Sequence, residues 1–260
     1  MKQHLPRISI VTPSLNQADF IEKTIQSVLG QHYPDLEYLV IDGGSTDSTH
    51  EIIQKYDRYL VSISEKDSGQ TFAINKGLHQ STGDILAFLS SDDVYEPGAL
   101  LAVGEYFSKH LDAMWVTGLC VNINNKGDEI RKAIRLYKNI WLSIHNYKVL
   151  LVLNYVSQPA TFWRRKALEE VGYLDENLYF TMDYEYWLRL GKNYPLHVIN
   201  RNLARFRIHP NSKSGSTSHS QFDEEFQVAG RYANKVLLLL HRIHRQLNIK
   251  IYRIMMHISS

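Results

Sequence analysis

The fold class of this chain is decided by the stretch Ile85–Asp93, which reads ILAFLSSDD. Five apolar residues in succession are enough for one strand, and a strand without polar alternation is typical of a parallel sheet covered on both faces. The apolar run changes at once to two serines and two aspartates. Because ligands of open α/β sheets bind beyond the carboxyl ends of the strands, this stretch predicts a buried strand and a sheet edge that carries a site.

The same change from apolar to polar occurs three more times in the first half of the chain. Apolar runs at Ile8–Val11, Tyr38–Ile41 and Tyr59–Ile63 each lead into small polar or acidic residues. Between these runs, apolar residues such as Ile21 and Ile25 recur at helical spacing. Strands that alternate with helices favour an α/β fold with one mainly parallel, Rossmann-like sheet, so we expect four polar strand ends to share one edge.

The second half of the chain has a less regular pattern. Val116–Ile123 predicts a strand, Arg165–Val171 and Met182–Asn193 predict helices, and His197–Ile208 reads as extended. From Gln221 onward the chain again reads as helical. We therefore expect the second half to add elements without the strict alternation of the first.

The composition is that of an ordinary globular protein. Among 260 residues, 44% are hydrophobic and the net charge is +2, so the chain as a whole is not built to bind nucleic acid. The one cysteine, Cys120, lies in an apolar run, which predicts a buried strand thiol and excludes an internal disulfide. No apolar stretch at the N-terminus is long enough for a signal peptide or a spanning helix, which favours a cytoplasmic protein.

Two strand ends carry the residues with the clearest chemistry. Asp92 and Asp93 repel each other unless a cation is present, and their oxygens favour a hard ion such as Mg²⁺ or Mn²⁺. In Asp42–Asp47, DGGSTD, two glycines let a ligand approach the backbone. An Asp pair is also common in turns, and Asp47 is also a helix cap. The chain has no GxGxxG or P-loop lysine motif, so nicotinamide and kinase functions have no support.

Taken together, the four strand ends resemble the family 2 glycosyltransferases, which have the GT-A fold. The matching segments are Ile10–Asn16, Tyr38–Asp47, Asp67–Gly77 and Ser90–Asp93. The resemblance implies an inverting enzyme that moves a sugar from a nucleoside-diphosphate-sugar, of the UDP or dTDP type, to a hydroxyl of a carbohydrate or lipid-linked acceptor. It implies Mn²⁺ or Mg²⁺ as the cofactor, and polysaccharide or glycolipid biosynthesis as the setting.

The resemblance also assigns roles to residues at the strand ends. The residues expected to contact the nucleotide are Thr12, Pro13, Asn16, Asp42, Asp67, Gln70 and Asp92. Asp93 is expected to bind the metal that bridges the diphosphate, and His209 to complete the metal shell or meet the diphosphate. Many members carry an aspartate where Ser90 stands, so this chain has one acidic group fewer at the metal site.

A second-half segment resembles the helix that carries the catalytic base in this family. Asp183 aligns with the second acid of that motif, and an acceptor hydroxyl needs a carboxylate to take its proton, so Asp183 is the expected base. Gln158, Glu185 and Lys213 are expected to contact the donor or the acceptor. Glu185 also has the i,i+4 spacing of a surface ion pair with Arg189.

We expect a GT-A domain over residues 1–218, with a nucleotide-binding part over about 1–112 and an acceptor part over about 113–218. A C-terminal helical extension over residues 219–260 lies outside the family core and contains no acid after Glu225. A basic amphipathic helix can lie on the inner face of a membrane, and it can equally pack on the catalytic domain or form a homo-oligomer.

Two other functions are compatible with parts of the sequence. A nucleotidyltransferase uses a similar sheet and metal, but the first loop, Thr12–Asn16, has neither the glycine nor the lysine that would favour it. A nucleotide-sugar-binding module without turnover is suggested only by Ser90 and Met182, which stand where the family usually has acids. Binding of a donor without transfer to any acceptor would favour the module.

Overall fold

A computed structural model describes residues 4–210, 212–213 and 219–258 of the chain. One mixed sheet of eight strands has the order β3-β2-β1-β4-β7-β6-β8-β5. The strands are β1 (Ile8–Ser14), β2 (Leu36–Asp42), β3 (Val61–Ser64), β4 (Ile85–Phe88), β5 (Val94–Tyr95), β6 (Trp115–Ile123), β7 (Thr161–Arg164) and β8 (His197–Arg207). Cys120 is buried in β6, as the sequence predicts.

Helices cover both faces of this sheet. They are α1 (Ile21–Leu29), α2 (Thr49–Gln54), α3 (Gln70–Gln80), α4 (Ala99–Lys109), α5 (Lys132–Ile144), α6 (Tyr147–Leu150), α7 (Arg165–Val171), α8 (Met182–Asn193), α9 (His219–Gly230) and α10 (Lys235–Ile258). A short 3-10 helix, Gln158–Ala160, precedes β7. In the described part of the chain, no helix is long and apolar enough to cross a membrane.

The prediction of a mainly parallel α/β sheet is confirmed. β1 pairs in parallel with β2 and β4, and β2 pairs in parallel with β3, so the carboxyl ends of all four strands meet at one edge. The third strand begins at Val61 rather than Tyr59, because Tyr59 lies in a turn and is 69% exposed. β7 lies antiparallel between β4 and β6, and β5 lies antiparallel to β8, so the second half makes the sheet mixed.

The core forms because successive strand residues point to opposite faces. In β2, Tyr38 and Val40 belong to the cluster that contains α1, whereas Leu39 and Ile41 belong to the cluster that contains α3. All four side chains are at most 3% exposed. Burial of each such side chain stabilises the fold by about 1.5–3 kcal/mol, so this alternation fixes the register of the strands and the position of their polar ends.

The C-terminal extension packs on the second half of the sheet domain. His241 in α10 is 2% exposed, and its Nδ1 lies 2.9 Å from the carbonyl oxygen of Leu151. Val228 and Ala229 in α9 are fully buried in the same cluster as α8. The predicted domain boundary at residue 218 falls within 214–218, which lie outside the described residues, directly before α9.

Helix α3 approaches the sheet closely at Gly77, and this contact generates a stability prediction. A Cβ atom at Gly77 would lie 2.4 Å from Cγ1 of Val11 and 3.2 Å from Cγ1 of Ile41. Gly77→Ala should therefore lower the free energy of unfolding by about 1–3 kcal/mol, because neither strand side chain can move far in a packed core. Urea denaturation followed by tryptophan fluorescence measures this change.

Gly230→Ala is the matched control, because the nearest atom to a Cβ there, Cδ1 of Leu238, lies at 3.9 Å. We expect this variant to be as stable as the wild type or slightly more stable. Equal stability of the Gly77 and Gly230 variants would contradict the close approach of α3.

Candidate active site

The loops that follow β1 and β2 are tied together at the polar edge of the sheet. The carboxylate of Asp42, 1% exposed, accepts hydrogen bonds from the hydroxyls of Ser45 at 2.5 Å and Ser64 at 2.6 Å. Asn16 accepts a hydrogen bond from the backbone N–H of Thr46 at 2.8 Å through its side-chain oxygen. Its own φ of 53° lies in the left-handed region, which asparagine tolerates. These bonds fix the shape of the edge before any ligand binds.

The structure divides the predicted nucleotide residues of the first loop into buried and exposed ones. Thr12 is fully buried, and its hydroxyl lies 3.1 Å from the hydroxyl of Tyr38 inside the core. Pro13 is also buried, whereas Asn16 is exposed at the edge. In this structure the side chain of Thr12 is therefore engaged within the sheet, and Asn16 is the residue of this loop that presents polar atoms to the edge.

The loop after β3 joins the same edge. The carboxylate of Asp67 accepts the backbone N–H of Gly69 at 2.9 Å, and it lies against Gly43, where a Cβ would be 2.7 Å from its Oδ2. Gln70, the first residue of α3, donates from Nε2 to the hydroxyl of Ser90 at 3.3 Å. Four strand ends that are far apart in sequence thus form one continuous polar surface, as the sequence predicts.

The two adjacent aspartates have different environments. Asp92 is partly exposed, and its Oδ2 lies 3.0 Å from Nε2 of His209. Asp93 is fully buried, its Oδ1 accepts the backbone N–H of Arg207 at 2.7 Å, and its Oδ2 has no hydrogen-bond partner. Burial, and secondarily the charge of Asp92, raise the pKa of Asp93 well above its usual range. An unpartnered buried carboxylate oxygen costs stability, so this turn favours a nearby cation.

We call Ser91–Asp93 the aspartate turn. Two side chains that the sequence did not indicate hold it from two sides. Arg207 donates from Nε to the carbonyl oxygen of Asp92 at 2.8 Å, and its guanidinium stacks 5.1 Å from the ring centroid of Phe20. The hydroxyl of Thr24 lies 2.8 Å from the carbonyl oxygens of both Ser91 and Asp93. The turn is therefore rigid because β8 and α1 both bind its backbone.

The residues present fit a divalent cation that is only partly coordinated by protein. Among the residues that the structure describes, no three His, Cys, Asp or Glu side chains converge as a ready ligand set. Mg²⁺ is commonly held by one or two carboxylates and completed by water and substrate phosphates. Asp92 is the accessible carboxylate, Asp93 Oδ2 is the orphaned oxygen, and His209 stands beside Asp92. The sequence predicts Asp93 as the direct metal ligand. Because Asp93 is fully buried and Asp92 is partly exposed, the structure favours Asp92 for direct contact with the ion.

A second group of charged side chains surrounds Asp183 at the start of α8. Its Oδ1 accepts the backbone N–H of Tyr184 at 2.7 Å. Burial raises the pKa of Asp183, while Lys138 in α5 and Lys213 after β8 act in the opposite direction. Burial and the charge of Asp183 raise the pKa of Glu225 in α9 to about 7. Asp183 is therefore a half-buried carboxylate whose pKa responds to two cations and whose charge acts on a further acid.

The three residues expected to contact donor or acceptor have defined partners. Gln158 donates from Nε2 to the carbonyl oxygen of Phe88 at 2.6 Å, which places it at the end of β4. Lys213 donates to the carbonyl oxygen of Tyr179 at 2.8 Å, and burial lowers the pKa of its ammonium group. The contacts of both residues with a ligand stay predictions.

Glu185 differs from the other candidates because it is enclosed in the protein. Arg189 contacts both of its carboxylate oxygens at 2.8–2.9 Å, and Tyr232 donates to Oε1 at 2.5 Å. Its side chain is 4% exposed, so the expectation of a surface ion pair with Arg189 is wrong. The i,i+4 spacing does form the ion pair, but Glu185 is buried because the C-terminal extension covers this part of α8. This setting favours a structural role for Glu185 over a ligand contact.

Glu224 in α9 holds the segment that leads into α8. Its carboxylate accepts the backbone N–H groups of Tyr179, Phe180 and Thr181 at 2.9, 2.6 and 2.8 Å, and the hydroxyl of Thr181 at 3.0 Å. Thr181 provides no side-chain cap of its own to the helix. No sequence signal identified Glu224, because its partners are backbone groups from a distant segment.

Comparisons with known proteins agree with this geometry. The model of the family described as Glycosyl transferase family 2 matches residues 9–172. The putative teichuronic acid biosynthesis glycosyltransferase TuaG of Bacillus subtilis is 30% identical over 217 residues, which are 81% of this chain and 82% of TuaG. The poly-beta-1,6-N-acetyl-D-glucosamine synthase of Staphylococcus epidermidis is 30% identical over 182 residues, which are 68% of this chain and 44% of that protein.

Solved structures share the fold at low sequence identity. TarS 1–349 of S. aureus in complex with UDP-GlcNAc has a TM-score of 0.67 at 17% identity, over 85% of this chain and 65% of that one. The mannosyltransferase PcManGT of Pyrobaculum calidifontis in complex with GDP-Man and Mn²⁺ has a TM-score of 0.66 at 16% identity, over 91% of this chain and 69% of that one. With the family model covering more than half of its length, the chain belongs to glycosyl transferase family 2 and is a glycosyltransferase.

Proposed function

We propose that this enzyme transfers a sugar from a UDP- or dTDP-sugar to an acceptor hydroxyl, with inversion at the anomeric carbon and with Mn²⁺ or Mg²⁺ as cofactor. The single observation that carries the proposal is the orphaned, buried Oδ2 of Asp93 beside the Asp92–His209 pair, at the edge where four polar strand ends meet. TarS with UDP-GlcNAc supports a UDP-sugar donor. PcManGT with GDP-Man and Mn²⁺ supports a nucleoside-diphosphate-sugar in general and supports the metal.

Asp92 would hold the cation at the aspartate turn, with the orphaned Oδ2 of Asp93 and the ring of His209 beside it. Such an ion compensates the charge that grows on the leaving nucleoside diphosphate. Arg207 and Thr24 hold the turn so that Asp92 keeps its position. Asn16, Asp67 and Gln70 supply polar atoms along the edge for the nucleotide.

Asp183 would take the proton of the acceptor hydroxyl as the oxygen attacks the anomeric carbon. The bond from that carbon to the phosphate oxygen breaks, and its electron pair leaves with the diphosphate. A raised pKa suits this role, since a base is most effective when its pKa lies closer to the working pH. Asp183 meets this requirement because desolvation raises its pKa although its side chain is only half-buried, and the charges of Lys138 and Lys213 favour its ionised form.

The proposed acceptor is a carbohydrate or a lipid-linked saccharide of a cell-envelope polysaccharide or glycolipid pathway. The names of TuaG and of the poly-beta-1,6-N-acetyl-D-glucosamine synthase support this class. We place the enzyme in the cytoplasm, at the inner face of the membrane. Membership of the glycosyltransferase family argues against the nucleotidyltransferase alternative, and measured turnover would exclude the inactive binding module.

The aspartate turn generates a prediction about metal-dependent binding. UDP should bind more tightly with Mn²⁺ than without it, and Asp92→Asn should weaken the binding measured with Mn²⁺ roughly 10- to 100-fold, because one charge-assisted contact is lost. Asp93→Asn should weaken it less, since the amide oxygen still accepts the N–H of Arg207. Isothermal titration calorimetry of UDP and dTDP, each with and without Mn²⁺, measures all three proteins.

Asp112→Asn serves as the control for this titration, because Asp112 is exposed on the turn after α4, outside the candidate site. Its affinity should equal that of the wild type. If the affinity of the wild type for UDP is the same with and without Mn²⁺, the proposed cation site is refuted. If Asp93→Asn loses more affinity than Asp92→Asn, Asp93 is the direct metal ligand instead.

The second prediction concerns the base. Asp183→Asn should lower sugar transfer by roughly 10²- to 10⁴-fold and leave nucleotide affinity unchanged, because a general base contributes about this factor and does not bind the donor. The readout is transfer of radiolabelled sugar from the donor found by calorimetry to a membrane-derived acceptor fraction. Asn can still accept the N–H of Tyr184, so the helix start is preserved. Wild-type transfer rates in this variant would remove the assignment.

The third prediction follows from the pKa of Glu225. Because the folded protein raises this pKa from 4.5 to about 7, the protonated form is favoured in the fold. The stability that this group contributes is therefore present below about pH 4.5 and is lost as the pH rises through 7. Glu225→Gln should exceed the wild type in free energy of unfolding by about 1–3 kcal/mol at pH 8 and by much less at pH 5.

Urea denaturation at the two pH values measures this difference. Glu169→Gln is the control, because Glu169 is exposed on α7. It should change stability equally little at both pH values. A Glu225→Gln variant that is less stable than the wild type at pH 8 would show that the ionised carboxylate stabilises the fold.

A further inference from the structure

Helix α10 carries an exposed apolar stripe on the side away from the protein. Its residues are Val236, Leu239, Leu240, Ile243 and Leu247, which are between 46% and 67% exposed. Steps of three and four residues place them on one helical face. His241, 2% exposed and in contact with Leu151, lies on the opposite face. The stripe is therefore left in solvent although the helix is firmly docked.

Helix α5 has a second stripe of the same kind. Leu136, Ile140 and Ile144 follow each other at intervals of four residues and are 64%, 53% and 52% exposed. Leu142 on another face of the helix is 3% exposed. An amphipathic helix normally turns its apolar residues inward, so outward residues at this spacing need a separate explanation.

The two stripes lie side by side. The hydroxyl of Tyr137 in α5 is 3.0 Å from Nε2 of His244 in α10, and the two rings stack with an interplanar angle of 12°. Each of these residues directly adjoins a stripe residue in sequence, Leu136 or Ile243. We call the eight stripe residues of both helices the α5–α10 face. With Tyr137 they are nine of the sixteen strongly exposed large hydrophobic side chains in the described part of the chain.

The charged residues of the two helices themselves are of one sign, although Glu129 and Asp223 in neighbouring segments pair with Lys132 and Arg245. Neither the α5 segment nor the α10 segment contains an aspartate or a glutamate. Lys132 on α5 and Lys235, Arg242 and Lys250 on α10 are exposed. A continuous apolar surface with a cationic border matches a bilayer that contains anionic lipids, in which apolar side chains enter the headgroup boundary and Lys and Arg meet phosphates.

A second copy of the chain is a poorer occupant. In a two-fold dimer each surface meets its own equivalent, so the cations of one α5–α10 face would adjoin those of the other. An anionic bilayer offers the opposite sign of charge. Because the described helices include no membrane-spanning one, the contact would be in the plane of the surface.

The α5 helix also connects this face to the candidate base. Lys138 is two residues from both Leu136 and Ile140, and its Nζ donates to the carbonyl oxygen of Val156 at 3.3 Å. Its charge also acts on Asp183 and Glu225. We propose that the α5–α10 face binds the surface of an anionic bilayer and thereby holds the acceptor side of the site at the membrane. The acceptor would then be a saccharide linked to a lipid of that leaflet, a conclusion that rests on the proposed function.

Flotation of the full chain with vesicles tests the proposal. The wild type should bind vesicles of phosphatidylcholine with roughly 30 mol% phosphatidylglycerol at least about tenfold more strongly than vesicles of phosphatidylcholine alone. Its binding to the anionic vesicles should weaken at high salt. The double variants Leu240→Ser/Ile243→Ser in α10 and Leu136→Ser/Ile140→Ser in α5 should each weaken binding by roughly tenfold or more, because each removes two apolar side chains that the bilayer would bury. Leu111→Ser, at a residue that is 79% exposed elsewhere, should bind like wild type.

The α5 variant is decisive, since α10 alone already has the sequence of an amphipathic helix. Binding that is lost in the α10 variant and retained in the α5 variant would overturn the two-helix face. Equal binding to both vesicle types, or no binding to either, would refute an anionic bilayer as the partner. So would analytical ultracentrifugation that shows a dimer of the wild type and a monomer of the α5 and α10 variants. Calorimetry with UDP and Mn²⁺ on the same variants should be unchanged, so failure here is distinguishable from failure of the proposed function.

Discussion

The hydrogen bond from the backbone N–H of Arg207 to Oδ1 of Asp93, at 2.7 Å, holds the two halves of this enzyme in one site. Asp93 lies in the turn between β4 and β5, and Arg207 is the last residue of β8. The same arginine binds the carbonyl oxygen of Asp92, and its ring contact with Phe20 reaches the loop before α1. Because β8 continues directly to His209, the position of that histidine beside Asp92 follows from the same pairing.

The position of α8, which carries the proposed base, depends on a comparable long-range contact. The first N–H groups of a helix have no partner within it, and Thr181 supplies no side-chain cap to α8. Glu224 accepts three backbone N–H groups and one hydroxyl at this point, so the C-terminal extension fixes where α8, and with it Asp183, begins. Charge-assisted bonds to a carboxylate are the stronger class of protein hydrogen bonds. The extension is thus part of the architecture of the site, although it lies beyond the residues that the family model matches.

The sequence predicted the features that depend on local pattern and missed those that depend on distant partners. The bounds of α7 and α8 and the four polar strand ends follow from apolar periodicity and from the polar residues that end each run. β7 escaped notice because its four residues run directly into α7, and the two residues of β5 form a strand only against β8. Asp93 is buried and Asp92 is partly exposed. Two neighbouring aspartates look alike in a sequence, so the sequence alone does not indicate which of them will be buried.

The charge of the nucleotide edge gives the physical reason for a cation. Asp42, Asp67, Asp92 and Asp93 lie at the ends of three strands or in the loops after them, on one edge of the sheet, and a nucleoside diphosphate is itself an anion. Arg207, which binds the aspartate turn, already donates to backbone carbonyls of Asp92, Asn124 and Asn125. Like charges repel, so these carboxylates oppose the approach of a diphosphate. A divalent ion held at the aspartate turn would reverse the sign of this interaction. Burial first, and the charge of Asp92 second, raise the pKa of Asp93, so the turn itself disfavours a second negative charge.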